Sequence, residues 1–370
     1  MAGLVRVLFA AAPFKHAFFL KMIERFSSDI ESLVLVPSYP RTRTARTQRA
    51  ALKDAAGVFF GDGETRKVLA KFKPDIVYTD SPLYASQLKL SQIAAKQRIP
   101  IIVHLRGDIW REFFEWGRRS RVKSKLLGFP LYASSFVGIA LAAKATPICR
   151  WLQSEVRRHL PSKPTEVVYQ GVDSSEFFPS PGMQLKHPAV AIIQNHTVYE
   201  KTLGLLGFGT VIAKLREVNF YVATGEDVKQ SYFPLVEKSL GQFKNVHFLS
   251  GIGHPDGVRR FLASSDMYVL ASNLDCCPTT VLEASLMRKP VLGSRVGGVP
   301  EIISDGLTGW SIDNQNIDEW VHRIQSLVED AKLAERLGTQ GRKWVSENFG
   351  WATIAPQVER LIIDEAERDR

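Results

Sequence analysis

Apolar residues in the first half of the chain form short runs, and stretches with helical spacing separate them. The runs are Leu4–Phe9, Ser32–Pro37, Asp75–Tyr78 and Pro100–Leu105, and a helix is predicted near 83–98. Near-continuous apolar strands that alternate with helices are typical of a parallel sheet covered on both faces. Because each crossover between parallel strands is right-handed, the pattern predicts a doubly wound α/β domain.

The second half of the chain repeats this alternation. Its predicted strands are Ala189–Gln194, Asn219–Ala223, Val246–Leu249, Met267–Leu270 and Pro290–Ser294, and its predicted helices lie near 201–216, 228–240, 256–264, 279–288, 316–330, 332–348 and 352–366. The segment Pro179–Gly182 has the composition of a linker. A length of 370 residues also fits two domains. We expect two doubly wound, Rossmann-like domains, 1–180 and 181–351, facing across a cleft, with ligands beyond the carboxyl ends of the strands.

Charge is distributed unequally between the two halves. Residues 1–180 hold 28 basic and 15 acidic side chains, a formal +13, whereas residues 181–370 hold 20 and 23, a formal −3. The excess suggests that the first half meets an anionic partner, such as a membrane surface or a phosphate-bearing lipid acceptor. The candidate contacts are Lys15, His16, Arg106, Arg118, Arg119 and Arg121, and a plainly solvated basic face is the alternative. The basic stretches lack interleaved aromatic residues, so nucleic acid is not the expected partner.

Composition also bears on the class of the protein and on its location. Hydrophobic residues at 45% and charged residues at 23% exclude a disordered or fibrous chain. Residues 126–143 contain no charge, but their glycine, proline and serine content favours a buried helix over a membrane span. The three cysteines, Cys149, Cys276 and Cys277, do not form a disulfide framework. We therefore expect a cytoplasmic protein, with peripheral attachment to the inner membrane face as an option.

The segment 272–310 carries the most specific chemistry. A strand leads to Asp275, Pro278 is suited to the first turn of a helix, and Glu283 follows Asp275 by eight positions. The N–H groups that begin such a helix, at about Thr279–Val281, attract phosphate oxygens. A carboxylate one turn further along accepts hydrogen bonds from neighbouring hydroxyls such as those of a ribose.

This segment resembles the donor-binding signature of the retaining GT-B glycosyltransferases of family GT4. The likeness rests on D-x7-E, where the family usually has E-x7-E, and on the following KPVLGSRVGGVPEIISDGLTGW. Gly171-Val172-Asp173, Glu200-Lys201 and Phe349-Gly350-Trp351 resemble further family segments in the family's order. The last of these resembles the start of the family's terminal helix, so the resemblance implies that a helix at about 352–370 returns to the first domain. The likeness is clear over about residues 165–355 and weak in the first half. It implies transfer of a sugar, with retention, from a nucleoside diphosphate sugar to a lipid-linked or other glycan acceptor.

The resemblance also implies roles for individual residues. Glu283 would hold the ribose, Lys201 would neutralise the diphosphate, and Asp275 and His104 would lie near the transferred sugar. The turn formed by Cys277, Pro278, Thr279 and Thr280 would contact the sugar or phosphate through its backbone amides. The family needs no metal and no cofactor, and we expect neither here.

Besides Asp275 in place of glutamate, two departures from the family pattern limit what carries over. His196 stands where the family usually has arginine, so diphosphate stabilisation is expected to rest on Lys201 with a further cation, for which Arg106 is a candidate. Ala10–His16 replaces the usual glycine-rich loop, so the acceptor is not implied. A nucleotide-sugar 2-epimerase and a non-catalytic nucleotide-sugar-binding protein are the alternative functions.

Overall fold

The computed structural model of the chain describes residues 4–11, 16–27, 29–36, 58–60, 65–80, 85–108, 110–111, 133, 135–194, 199–225 and 232–368. The chain divides into two units. The first contains Met1–Gly171 together with Trp351–Arg370, and the second is Val172–Gly350. Each unit holds a six-stranded sheet whose strands all pair in parallel. The expectation of two doubly wound α/β domains is confirmed.

The first unit is built on a sheet with the strand order β3-β2-β1-β4-β5-β6. Its elements are β1 Val5–Ala10, α1 His16–Ile23, β2 Ile30–Val36, β3 Val58–Phe60, α2 Thr65–Phe72, β4 Ile76–Asp80, α3 Ala85–Lys96, β5 Ile101–Leu105, β6 Lys144–Pro147 and α4 Arg150–His159. The strand order reverses between β1 and β4, and in such sheets ligands bind at the carboxyl ends of the strands beside this point.

The last helix of the chain completes the first unit. It spans Trp351–Glu367, and its apolar residues Ile354, Val358 and Ile362 pack in the same core as β1 and β4. An ionic contact adds to this packing, because the Lys144 ammonium at the start of β6 lies 3.4 Å from Glu365 Oε2. The helix therefore belongs to the core of the first unit although it follows the whole second unit in sequence.

The second unit has the strand order β12-β11-β10-β7-β8-β9. Its elements are β7 Ala189–Ile193, α5 Tyr199–Gly207, α6 Gly209–Lys214, β8 Asn219–Ala223, α7 Phe233–Leu240, β9 Val246–Leu249, α8 Asp256–Ala263, β10 Met267–Leu270, α9 Thr279–Leu286, β11 Val291–Ser294, α10 Val299–Ile302, β12 Gly309–Ile312, α11 Ile317–Glu329 and α12 Ala331–Phe349, and α13 is Trp351–Glu367 of the first unit. The order reverses between β10 and β7, so their carboxyl ends form the expected ligand edge of this sheet.

The boundary between the units lies at Gly171/Val172, earlier than the sequence-based boundary at residue 180. Val172 forms a parallel bridge with Gly350, and the Phe177 carbonyl accepts a hydrogen bond from Arg342 at 3.0 Å. These contacts attach residues 172–177 to the second unit. The linker composition of Pro179–Gly182 does not mark the division, because the segment before it is already packed.

The sequence pattern missed several short elements. Strands β3, β6 and β12, of three or four residues each, were not predicted. The segment predicted as one helix at 201–216 is two helices that meet at Phe208. Within the uncharged segment 126–143, residues 135–141 are helical. Across the part of the chain that the structure describes, no helix has both the length and the apolar character to cross a bilayer.

Candidate nucleotide-sugar site

The Lys201 and Asp275 side chains form an ion pair in the second unit. Lys201 lies in the first turn of α5, Asp275 lies in the loop after β10, and Lys201 Nζ donates to Asp275 Oδ2 at 2.8 Å. The side chains are 23% and 10% exposed, respectively. The pair brings together two residues that stand 74 positions apart in sequence, at the carboxyl ends of the neighbouring strands β7 and β10.

A glycine allows α5 to approach the Asp275 loop closely. A Cβ atom added at Gly204 would lie 2.5 Å from the Ser272 Cα and carbonyl carbon and 2.6 Å from the Asn273 nitrogen, distances that real side chains do not reach. Backbone atoms cannot yield as a flexible side chain can. The absence of a side chain at Gly204 is therefore what lets the first turn of α5, and with it Lys201, lie against this loop.

The Gly297-Gly298 turn supports the same loop from its other side. The Gly298 N–H donates to the Asp275 carbonyl at 3.1 Å. Gly297 has a φ of +51°, a conformation that favours glycine, and a Cβ there would overlap the Asp275 carbonyl oxygen. This contact gives the turn a definite role, which is to hold the backbone of Asp275.

Helix α9 begins directly after this loop, with Pro278 as its N-cap in extended conformation. The predicted run of available amides is shorter than expected, because the Val281 N–H donates to the Pro278 carbonyl at 3.1 Å. The Thr280 hydroxyl is also engaged, 2.7 Å from the Tyr268 hydroxyl. Contacts to a ligand from this turn are therefore expected from the Thr279 and Thr280 amides. Cys277 is buried and is not part of a disulfide.

Tyr268 was not anticipated from the sequence. Its hydroxyl also hydrogen-bonds the Ile193 carbonyl at 2.9 Å, which ties the start of α9 to the end of β7. Burial raises the pKa of the Tyr268 hydroxyl above its usual value of about 10, and the nearby Asp275 and Glu283 carboxylates add to the rise. The phenol is therefore neutral at physiological pH and acts as a fixed hydrogen-bonding group.

Glu283 is a buried carboxylate in the middle of α9. Its side chain is 5% exposed, and Oε1 lies 3.1 Å from His254 Nε2. Within the described part of the chain, Oε2 is buried and has no hydrogen-bond partner. A buried carboxylate oxygen without a donor is costly, so its lack of a partner needs an explanation, and a bound ligand would supply one. The Glu283 carboxylate thus has one oxygen, Oε1, in contact with His254 and a second, Oε2, that can accept a hydrogen bond from a ligand.

His104 lies in the core of the first unit, on β5. Its ring is fully buried and stacks on Phe18, and Nδ1 lies 3.1 Å from the Thr146 hydroxyl. Burial, with a smaller contribution from the neighbouring Arg106 guanidinium, lowers the pKa of the imidazole from 6.5 to about 3. Contact with a sugar, as the resemblance implies, would require the edge of this ring to become accessible.

Arg106 follows β5 and is held by contacts of its own unit. Its Nη2 donates to Gln170 Oε1 at 2.7 Å, and its guanidinium lies 4.3 Å from the centre of the Phe18 ring. These contacts orient the cation beside His104. The other predicted contacts cannot be located: Lys15, Arg118, Arg119, Arg121 and His196 lie outside the described residues, and of His16 only the backbone is described, as the first residue of α1.

Comparison with known proteins agrees with this geometry. Residues 201–344 match the family model described as glycosyl transferases group 1. The chain is 31% identical over 130 residues to N-acetyl-alpha-D-glucosaminyl L-malate synthase of Bacillus anthracis, a match that covers 34% of each protein. It is 24% identical over 315 residues to sulfoquinovosyl transferase SQD2 of Arabidopsis thaliana, covering 78% of this chain and 56% of that protein. The chain thus spans about a third of the length of the first relative and about half of the length of the second.

A solved structure extends the similarity to both units. The structure of Anabaena HepE in complex with UDP and glucose superposes with a TM-score of 0.70 at 16% identity, covering 97% of this chain and 99% of that one. At this identity the likeness establishes the fold. The two-domain fold of this chain is therefore the GT-B architecture, and the similarity to the family described as glycosyl transferases group 1 lies in its second unit.

Proposed function

We propose that this protein is a retaining glycosyltransferase of the GT4 type, which transfers a sugar from a nucleoside diphosphate sugar to a lipid-linked or other glycan acceptor. The observation that carries the proposal is the environment of Glu283. Its Oε2 atom is buried and without a partner among the described residues, while Oε1 is bound to His254. A ribose offers two adjacent hydroxyl donors, which is what such an oxygen needs.

The Lys201–Asp275 pair fits the rest of a nucleotide sugar. The Lys201 ammonium donates to the Asp275 carboxylate at 2.8 Å, and a diphosphate carries enough negative charge to compete with that carboxylate. Asp275, when ionised, only accepts hydrogen bonds. It could therefore accept them from sugar hydroxyls while Lys201 binds the phosphates. The two residues would then bind opposite ends of the bond that breaks.

The chemistry follows from where charge develops. As the bond between the anomeric carbon and the diphosphate lengthens, the sugar becomes oxocarbenium-like and the leaving diphosphate gains negative charge. The Lys201 cation and the N-terminal amides of α9 stabilise that negative charge, which is commonly the largest contribution to catalysis. The acceptor hydroxyl would attack from the face that the diphosphate leaves, so the configuration is retained and no enzyme nucleophile is needed.

Incubation with labelled UDP-sugars and GDP-sugars tests this proposal. A glycosyltransferase should release the nucleoside diphosphate, by slow hydrolysis or by transfer, and NMR of the product should show the anomeric configuration of the donor. A donor altered at C2 would instead identify a 2-epimerase. Binding without turnover would identify a non-catalytic nucleotide-sugar-binding protein. Either of these outcomes would overturn the assignment.

A lipid-linked acceptor is supported by the basic first half of the chain. Each cation near an anionic membrane contributes about 1 kcal/mol to attraction. Reversal of Arg118, Arg119 and Arg121 to glutamate should abolish sedimentation with vesicles that contain anionic lipid. The matched control reverses three exposed cations of α12 in the second unit, Lys332, Arg336 and Lys343. Equal sedimentation of the two variants would overturn membrane attachment through the first-half cations.

A further inference from the structure

His254 is the group that satisfies one half of the buried Glu283 carboxylate. It lies in the loop between β9 and α8, and its Nε2 is 3.1 Å from Glu283 Oε1. The His254 side chain is 56% exposed, whereas that of Glu283 is 5% exposed. The contact therefore joins a solvent-facing loop to a carboxylate inside the fold. Neither the motif spacing nor the resemblance indicates a role for His254.

The contact determines which carboxylate oxygen is available. An imidazole with its proton on Nε2 donates to Oε1, and Oε2 is left as the buried oxygen without a partner among the described residues. The terminal torsion of a glutamate is broad and roughly two-fold. Without a donor at Oε1, the carboxylate plane would be free to rotate and the two oxygens would exchange places. A fixed donor holds Oε2 in one direction.

The imidazole is itself supported by an aromatic neighbour. The Phe177 ring lies 5.7 Å from the His254 ring at an interplanar angle of 50°, and Phe177 is buried. A buried ring against one side of the imidazole restricts its orientation. The arrangement is therefore a short chain of contacts from Phe177 through His254 to Glu283, all within the second unit.

We propose that His254 is a positioning residue for donor binding, which orients the Glu283 carboxylate so that Oε2 accepts the ribose hydroxyls of the nucleoside diphosphate. This inference rests on the proposed function and deepens it. A purely structural role for His254 makes a different prediction: its loss would lower stability without changing how the protein distinguishes ribose from deoxyribose.

Two isosteric substitutions separate these roles. The side-chain nitrogen of glutamine reaches about as far as His Nε2, whereas that of asparagine reaches only as far as Nδ1. His254→Gln should therefore keep the contact to Glu283, and His254→Asn should lose it. The probes are UDP and GDP and their 2′-deoxy forms, titrated by calorimetry against the full chain. Thermal midpoints without nucleotide check the folding of each variant.

The parent should bind the ribonucleotide more tightly than the deoxynucleotide. His254→Asn and His254→Ala should bind the ribonucleotide about 10-fold more weakly, which is the usual effect of losing a hydrogen bond to a charged group. They should also lose most of the discrimination between ribonucleotide and deoxynucleotide. His254→Gln should retain affinity and discrimination close to those of the parent. In a Glu283→Ala background, His254→Ala should have no further effect, because both changes remove the same contact.

Each contrary result has a clear meaning. Parent-like affinity and discrimination in His254→Ala would overturn the positioning role alone, as would equal weakening of ribonucleotide and deoxynucleotide. Additive effects of the His254 and Glu283 changes would overturn it as well. Failure of the parent to bind either nucleoside diphosphate would overturn both the proposed function and this inference.

Discussion

Gly204 in α5 faces the backbone of Ser272 with no side chain between them. This close approach places the first turn of α5 against the loop after β10, where Lys201 binds Asp275. A methyl group at position 204 would displace backbone atoms, which packed proteins resist.

Gly204→Ala should lower the free energy of unfolding by about 1–3 kcal/mol and weaken nucleoside diphosphate binding. The cause is displacement of the Ser272 segment, measured by urea unfolding and by calorimetry. Gly207→Ala is the matched control, because a Cβ there meets no atom within 4 Å. Alanine favours the helix, so the control should be neutral or more stable by about 0.5–1 kcal/mol. Equal effects of the two substitutions would show that the close approach of Gly204 to Ser272 is not required for stability or for nucleotide binding.

The Lys201 ammonium should contribute to binding of the diphosphate and not of the nucleoside. Lys201→Met should therefore reduce affinity for UDP or GDP while leaving uridine or guanosine affinity unchanged. It should also reduce turnover by about 100- to 1000-fold, as expected when a group that stabilises the transition state is lost. Lys238→Met, at an exposed lysine of α7, is the control. A Lys201→Met enzyme with parental affinity for the diphosphate would contradict this role.

The Lys144 ammonium should stabilise the first unit through its carboxylate partners. It lies 3.2 Å from Glu166 Oε2 and 3.4 Å from Glu365 Oε2, and its side chain is largely buried. Lys144→Ala removes a cation from beside the buried Glu365 carboxylate. It should lower the free energy of unfolding by about 3 kcal/mol. Urea unfolding measures the loss, and hydrogen exchange should show it in 351–367.

An exposed ion pair provides the comparison for Lys144. Lys214 pairs with Asp318 at 2.8 Å on the surface of the second unit. Lys214→Ala should cost less than about 1 kcal/mol, because solvent screens exposed pairs. If the two alanine variants lost equal stability, burial of the Lys144 cluster would not be the reason for its contribution.

His104 should make stability depend on pH. Its pKa is lowered from 6.5 to about 3 in the folded chain, first by burial and then by Arg106. Between these values the unfolded chain binds the proton and the folded chain does not. Stability therefore falls as pH decreases from 6.5 towards 3, by at most about 1.4 kcal/mol per pH unit from this residue.

His104→Asn tests this linkage because an amide nitrogen replaces Nδ1 beside the Thr146 hydroxyl. Urea unfolding at several pH values between 6.5 and 4 should give a shallower slope in the variant than in the parent. The comparison concerns the slope, so a constant loss of stability in the variant does not affect it. Parallel slopes would show that His104 is not the residue responsible.

The sequence predicted the two doubly wound domains because near-continuous apolar strands alternate with amphipathic helices. It did not predict β12, nor β3, which has only three residues, nor β6, which begins with a lysine that ion pairs allow to be buried. Nor did it predict that residues 172–180 pack with the second unit, because that depends on bonds to distant residues such as Arg342.

Within the candidate site, spacing singled out Asp275 and Glu283 because a motif keeps residues close in sequence. The resemblance singled out Lys201, and the structure adds the reason for its placement, which is the contact of Gly204 with Ser272. His254 and Tyr268 were missed. Each acts through one side-chain contact to α9, and such pairings leave no periodic signal in a single sequence.

The most direct test of the account is the nucleoside diphosphate affinity of Glu283 variants. Calorimetric titration with UDP and GDP should show that Glu283→Gln and Glu283→Ala bind about 10- to 100-fold more weakly than the parent, because the loss is of hydrogen bonds to a charged oxygen. Glu335→Ala, at an exposed carboxylate of α12, should bind like the parent. Parental affinity in both Glu283 variants, with intact folding, would contradict the claim that this carboxylate holds the ribose.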